Sequence, residues 1–247
     1  MKVLVLGATG ATGRLVVQTL LEQQHEVVAM VRNTDTLAPL NTQYAAQFTQ
    51  VRGTALTLND AVLSEWVERV DGVVSCLGHN LTLKGIFAAP RMLVRDSIKR
   101  IVNLSENKRT APLKIVLMNS SGVRNKNNHE PISLMQHLVL ALLRVLLPPH
   151  RDNEQAANYL RTLNTTNHNI SNHKVEWVSV RPDALIDQDE ASEYSLYPSP
   201  IRSAIFDSGK VSRINVASAM CRLLTDAKLW QEWKGKMPLL YNADECG

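Results

Sequence analysis

Lys2-Val-Leu-Val-Leu-Gly7-Ala-Thr-Gly10-Ala-Thr-Gly13-Arg14-Leu-Val-Val decides how the rest of the chain is read. A short apolar run ends in three glycines spaced by three, and an amphipathic helical pattern follows directly. Gly7 permits a sharp strand-to-helix turn, Gly10 keeps a Cβ out of the path of an approaching ligand, and Gly13 lets the helix pack closely on the strand. The helix that starts there has unpaired N–H groups and a positive dipole end, which suit an anion. The strand before the glycines and the helix after them are both readable. The stretch therefore predicts a site for the pyrophosphate of a dinucleotide rather than an ordinary glycine-rich turn.

Outward from that loop, strand and helix signals alternate, the pattern of an α/β, doubly wound parallel sheet. Residues 3–6, 27–31, 48–51, 72–77, 113–118 and 175–180 read as strands, the last ended by Arg181-Pro182. Helices are expected over 12–23, from an Asn59 cap through Val70, and from Pro90 toward Leu104. Further helices are expected from near Pro148 through Arg161, over 216–224 and near 230–233. The polar stretch 164–172 reads as a surface loop, and Tyr197-Pro-Ser-Pro200 loosens the pattern after Pro182. Residues 1–247 are expected to form a single domain, with 183–247 supplying most of a C-terminal part on the substrate side.

At 247 residues, 45% hydrophobic and 20% charged, the chain has the length and composition of an ordinary soluble globule with a sizeable core. Lys and Arg number 27 against 23 Asp and Glu, a net charge of +4 that is scattered along the chain. That favours an anionic cofactor and is too diffuse for a nucleic-acid surface. Cys76, Cys221 and Cys246 are far apart and odd in number, so neither a disulfide framework nor a metal site is expected. The apolar stretch 132–147 is shorter than the roughly 20 residues of a membrane span and is interrupted by His137 and Arg144. It reads as a buried helix or one packed on a second subunit, so a homodimer stays open and no membrane partner is expected. Because strand and phosphate loop begin at once, no signal peptide fits before them, and a cytoplasmic location is expected. The sequons at Asn80, Asn103 and Asn164 are then chance matches.

A site for NAD usually has Asp or Glu at the end of the second strand, where the ribose hydroxyls lie. Here that strand ends Val31-Arg32-Asn33. Arg32 would pair with a 2′-phosphate, and Arg14, in the first turn after Gly13, could close on it from the other side. The expectation is NADP(H) over NAD(H). The plain alternative is a solvated strand-end arginine and a surface helix arginine.

Gly7-x-x-Gly10-x-x-Gly13, Val31-Arg32-Asn33, Leu117-Met-Asn-Ser120-Ser121, Val178-Ser-Val-Arg181-Pro182 and Val211-Ser-Arg-Ile-Asn-Val-Ala217 together resemble the atypical short-chain dehydrogenase/reductase superfamily. Its NmrA-like and flavin- and biliverdin-reductase-like branches bind NAD(P)H on a Rossmann fold. The resemblance implies that Gly7, Thr9, Gly10, Ala11, Thr12, Gly13 and Arg14 line the phosphates and that Arg32 takes the 2′-phosphate. Where the family has an Asp near adenine this chain has Gly53-Thr54-Ala55, so Thr54 or the backbone would make that contact. Cys76, Leu77 and Gly78 would run beside the nicotinamide ribose, and Ser120 and Arg181 would also touch cofactor. Cys76 reads equally well as an inert core thiol.

In the tyrosine-dependent members a serine at this strand end meets the substrate carbonyl, and a Tyr-x-x-x-Lys pair donates the proton. Ser121 fits the serine position and is the catalytic candidate; a strand-end serine bonding cofactor or backbone is the alternative. The tyrosine and lysine positions hold Pro149 and Asn153, and Tyr159 has Leu163 four residues on. Acceptors that need no tyrosine, such as quinones, flavins or conjugated tetrapyrroles, remain compatible with hydride transfer. His79, His129 and His150 are the histidines nearest the expected cleft, with no carboxylate at a spacing that would orient one as a base. Two functions stay open: an NADPH-dependent oxidoreductase acting on a small molecule, or a non-catalytic NADP(H)-binding redox sensor or assembly factor.

Overall fold

Alternation along the first strand sets the layering of the molecule. In β1 (Lys2–Leu6), Val3 and Val5 join one apolar core while Leu4 and Leu6 join another, and all four are buried. A strand buried on both faces needs helices on both sides of its sheet. The computed structural model describes residues 1–79, 89–106, 109, 111–125, 128, 130, 135, 139, 142, 147–165 and 174–243, and supplies those layers.

The elements that follow are α1 (Ala11–Glu22), β2 (Glu26–Val31), α2 (Ala38–Gln43), β3 (Phe48–Arg52), α3 (Asp60–Arg69), β4 (Gly72–Ser75), α4 (Leu93–Glu106), β5 (Leu113–Met118), α5 (Pro148–Thr165) and β6 (Val175–Pro182). The chain continues through β7 (Ala184–Ile186), β8 (Tyr194–Tyr197), β9 (Lys210–Ser212), α6 (Arg213–Thr225), α7 (Ala227–Trp233) and β10 (Leu239–Asn242). The main sheet has the order β3-β2-β1-β4-β5-β6-β10-β8, and β7 pairs with β9 beside it. All pairings are parallel except β10 with β8. Buried side chains of α1, α6 and α7 fill one face and those of α3, α4 and α5 the other. This is the doubly wound, Rossmann-type arrangement, with its reversal of strand order at β1 and β4.

Local signals placed several boundaries. Asn59 caps α3 by accepting from the Val62 N–H at 2.9 Å. Elsewhere long-range bonds moved them. α4 begins at Leu93 rather than Pro90 because Asp152 supplies the acceptors for the Val94 and Arg95 N–H groups, at 2.8 and 2.9 Å. β6 continues through Pro182 because Arg181 N–H donates to the Pro238 carbonyl at 2.7 Å, next to β10. The C-terminal residues thus complete the main sheet through β10, while α6 packs on α1 in its core.

Cys76 and Cys221 are free and buried, and Cys246 lies outside the described residues. Most of 132–147 also lies outside them, as do His129 and most of the 164–172 loop. Among the described residues no helix is long and apolar enough to cross a membrane.

The closest packing is backbone on backbone at the glycine turn. A Cβ on Gly13 would stand 2.1 Å from the Gly7 carbonyl oxygen and 2.8 Å from its carbon. Gly13→Ala is expected to cost about 3 kcal/mol, because neither backbone can yield without moving α1 off the sheet. Gly78→Ala, whose Cβ would meet nothing within 4 Å, should stay within about 0.5 kcal/mol of the parent. Urea unfolding midpoints of the two variants check the contrast.

Candidate active site

β1 delivers the chain into a turn that only glycine accommodates. Gly7 has φ +72°, and a Cβ there would lie 2.6 Å from the Cys76 carbonyl oxygen of the neighbouring strand end. The Gly10 N–H donates to the Gly7 carbonyl at 3.0 Å and closes the turn. Gly10 is then the N-cap of α1, with no side-chain cap bond, and the first turn carries no acidic residue. An uncapped, exposed helix start with small residues before it fits a dinucleotide's pyrophosphate. Thr9 is half-buried, Ala11 exposed, and Thr12 and Gly13 are buried beneath the loop.

Arg14, in the first turn of α1, and Arg32, directly after β2, are both exposed. The structure adds Arg52, which ends β3 opposite Val31 and is also exposed. Ending the third strand at Val51 hid it from the sequence reading. None of the three guanidiniums makes an ion pair among the described residues. Thr54 is used differently from the expectation. Its hydroxyl meets Thr57 Oγ1 at 2.9 Å and accepts from the Leu56 and Thr57 N–H groups, so it holds the 54–57 turn rather than reaching for a base.

At the other end of the loop, Cys76 N–H donates to the Leu6 carbonyl at 2.9 Å and the backbone leaves the sheet through Leu77, Gly78 and His79. Burial pushes the Cys76 thiol up to about 12, which keeps it protonated and unreactive. Gly78 is exposed in open space. His79 Nε2 lies 2.8 Å from Asp152 Oδ2, and both side chains are almost fully buried. A carboxylate therefore does orient one of the histidines near the cleft. It comes from α5, 73 residues away, and no local spacing signalled it.

The β5 strand end is pinned by Asn119, which donates to the Asn153 carbonyl at 3.2 Å and accepts from the Ser120 N–H at 2.9 Å. Ser120 Oγ accepts from the Gly122 N–H at 3.3 Å. A Cβ on Gly122 would meet the His150 ring at 3.6 Å and Ser120 Oγ at 3.7 Å, so His150 stands beside Ser120. His150 also approaches Glu154, one turn on, at 3.7 Å. Ser121 Oγ donates to Asp183 Oδ1 at 2.8 Å, and its N–H donates to the Pro182 carbonyl at 3.0 Å. Burial raises the Asp183 carboxyl above its usual range, against the hydrogen bonds from Ser121, Gly209 and Ala184 and the positive charge of Arg202. Asp183 was missed in the sequence, although it directly follows the Arg181-Pro182 pair. Tyr159 faces away, its hydroxyl donating to Asn103 on α4 at 3.4 Å.

Arg181 is a correction. It is fully buried and pairs with Glu130, Nη2 to Oε1 at 2.6 Å and Nη1 to Oε2 at 2.9 Å. It also donates to the Val123 and Met237 carbonyls. All its donors point into the protein, so it ties β6 to the segments after β5 and before β10 and does not face a cofactor.

A family model described as NAD(P)H-binding matches residues 7–227. No curated protein sequence matches the chain. Among solved structures, the chain is similar to the anaerobillin reductase ChuY from Escherichia coli O157:H7, with 16% identity, 99% of this chain and 98% of that one covered, and a TM-score of 0.68. It is similar to a wide-type short-chain dehydrogenase/reductase from Veillonella parvula solved with NADP, with 17% identity, coverage of 99% and 95%, and a TM-score of 0.69. A Lactobacillus casei protein gives 20% identity, coverage of 99% and 100%, and a TM-score of 0.69. At these identities the structural likeness concerns the fold.

The Arg181 assignment has a direct consequence. Arg181→Met leaves the buried Glu130 carboxylate without its cation and should cost about 3–5 kcal/mol. The folded fraction should keep the parent's affinity for dinucleotide. Thermal unfolding and a binding titration on the same sample check both halves.

Proposed function

The chain belongs to the NAD(P)H-binding family, and from that premise we propose that it binds NADP(H) and reduces a small conjugated acceptor of quinone, flavin or tetrapyrrole type. The observation that carries the reductase reading is Ser121, a hydroxyl held by a buried carboxylate at the same sheet end as the phosphate loop. When bound, the cofactor supplies the hydride. Ser121 orients the acceptor and gives it a proton, work that falls to tyrosine in the tyrosine-dependent relatives. Ile201 and Phe206 are 47% and 58% exposed in the segment leading to Gly209, whose N–H donates to Asp183. That apolar surface suits a flat acceptor. The exposed guanidiniums of Arg14, Arg32 and Arg52, with no acid among the strand-end residues 32 and 33, support a 2′-phosphate.

A second reading, a non-catalytic NADP(H)-binding sensor or assembly factor acting in the cytoplasm, is favoured by one observation. Pro149 and Asn153, which the resemblance sets at the tyrosine and lysine positions, lie in the first turns of α5, and the Asn153 carbonyl is bonded to Asn119.

NADPH should bind tighter than NADH by on the order of 10-fold, the value of one charge-assisted pair. Arg32→Asp should erase that preference, and equal affinities in the parent protein would overturn it. Turnover of NADPH against a panel of quinone, flavin and biliverdin decides between the two functions. Ser121→Ala should lower that turnover by about 10²-fold with NADPH affinity unchanged. A parent protein that oxidises NADPH no faster than buffer with every acceptor leaves the binding-protein reading.

A further inference from the structure

We propose that Asp183 is the proton reservoir behind Ser121, resupplying the hydroxyl proton that Ser121 gives to the acceptor; this rests on the reductase reading above. The geometry comes from two strand ends. Ser121 follows β5 and Asp183 follows β6, and the bond from Ser121 N–H to the Pro182 carbonyl locks the two segments side by side. Asp183 is only 7% exposed. Its Oδ2 accepts from the Gly209 N–H at 3.0 Å, which leaves Oδ1 as the oxygen facing the serine at 2.8 Å.

A serine hydroxyl has one hydrogen. With Asp183 ionised, that hydrogen points at Oδ1 and is turned away from any acceptor. For Ser121 to donate outward while staying bonded to Asp183, the hydrogen between them must belong to the carboxyl. Donation to an acceptor therefore selects the protonated form of Asp183. Burial favours that form, opposed by the Ser121, Gly209 and Ala184 bonds and by Arg202, itself paired with Asp207 at 3.0 Å. From α5, the titratable ring of His150 comes close to Gly122, the residue after Ser121.

The step balances as follows. The acceptor gains two electrons and one hydrogen as hydride, and a bond to a second hydrogen forms as the Ser121 Oγ–H bond breaks. The Oδ1–H bond of Asp183 breaks as the Ser121 Oγ–H bond re-forms. Asp183 is left as a carboxylate, which water reprotonates. One reduced cofactor and one solvent proton are consumed for each two-electron reduction.

Asp183→Asn preserves the shape, its amide oxygen accepting from Gly209 and its NH₂ donating to Ser121, and removes the exchangeable proton. The parent's turnover should fall as pH rises through the raised Asp183 pKa. In Asp183→Asn it should be lower by about 10-fold or more on the acid side and lose that dependence. NADPH affinity should stay the same. The variant should be no less stable at neutral pH, because ionising a carboxyl whose folded pKa is raised costs stability above that pKa. In the cofactor-free protein, carbon-13 carboxyl resonances should show Asp183 titrating above the usual carboxylate range, and higher again in Ser121→Ala, which lacks one bond to the carboxylate. Titration within or below the ordinary range overturns the proposal. A parent that turns over and an Asp183→Asn variant that matches it across pH overturn the Asp183 assignment alone. A parent that turns over no acceptor overturns the reductase reading and this inference with it.

Discussion

The structure depends on one contact between two backbones, the Gly7 turn seated against the end of β4. A Cβ on Gly7 would stand 2.6 Å from the Cys76 carbonyl oxygen, and one on Gly13 would stand 2.1 Å from the Gly7 carbonyl. No side chain mediates either approach, so no side chain can adapt to a change there. This contact sets where α1 starts and therefore where its uncapped N–H groups point. It also fixes the line along which β4 leaves the sheet toward Gly78 and His79. The helix start proposed for the pyrophosphate and the strand end that leads to Gly78 and His79 are thus placed by the same few atoms.

Two buried aspartates at this end of the sheet live in different settings. Asp152 accepts from His79 and from two N–H groups at the positive end of α4, so its oxygens are well supplied with donors and it joins three segments. Asp183 has the Ser121 hydroxyl, the Gly209 and Ala184 N–H groups and the charge of Arg202, and desolvation outweighs them. The first carboxyl is a structural tie between segments. The second, lifted by desolvation and set beside a hydroxyl, is suited to exchanging a proton.

What the sequence made legible was local or periodic. The both-face burial of β1, the Asn59 cap and the three glycines each need only a short window to read, and the family match over 7–227 agrees with the resemblance those motifs carry. The misreadings were long-range. Arg181 has the right residue type at a strand end, but its partner is Glu130, 51 residues away, which turns it inward. Thr54 is the local exception, its hydroxyl engaged by Thr57 three residues on. Asp152 meets His79 across 73 residues and Asp183 meets Ser121 across 62. Strands β7 to β10 are too short to show a period and exist because neighbours pair with them.

The C-terminal part matters to the site through one such pairing. β10 enters the main sheet beside β6, and Tyr241 on it is fully buried. A Cβ on Gly209 would lie 2.7 Å from the Tyr241 ring, so the 201–209 segment passes there only as glycine. That close passage brings the Gly209 N–H onto Asp183 and carries Arg202 to within electrostatic reach of it. The residues that tune the carboxyl behind Ser121 are therefore held by the last strand of the sheet. The surroundings of Ser121 are thus set by β10 and the 201–209 segment, while the glycine turn is set by β1 and the end of β4.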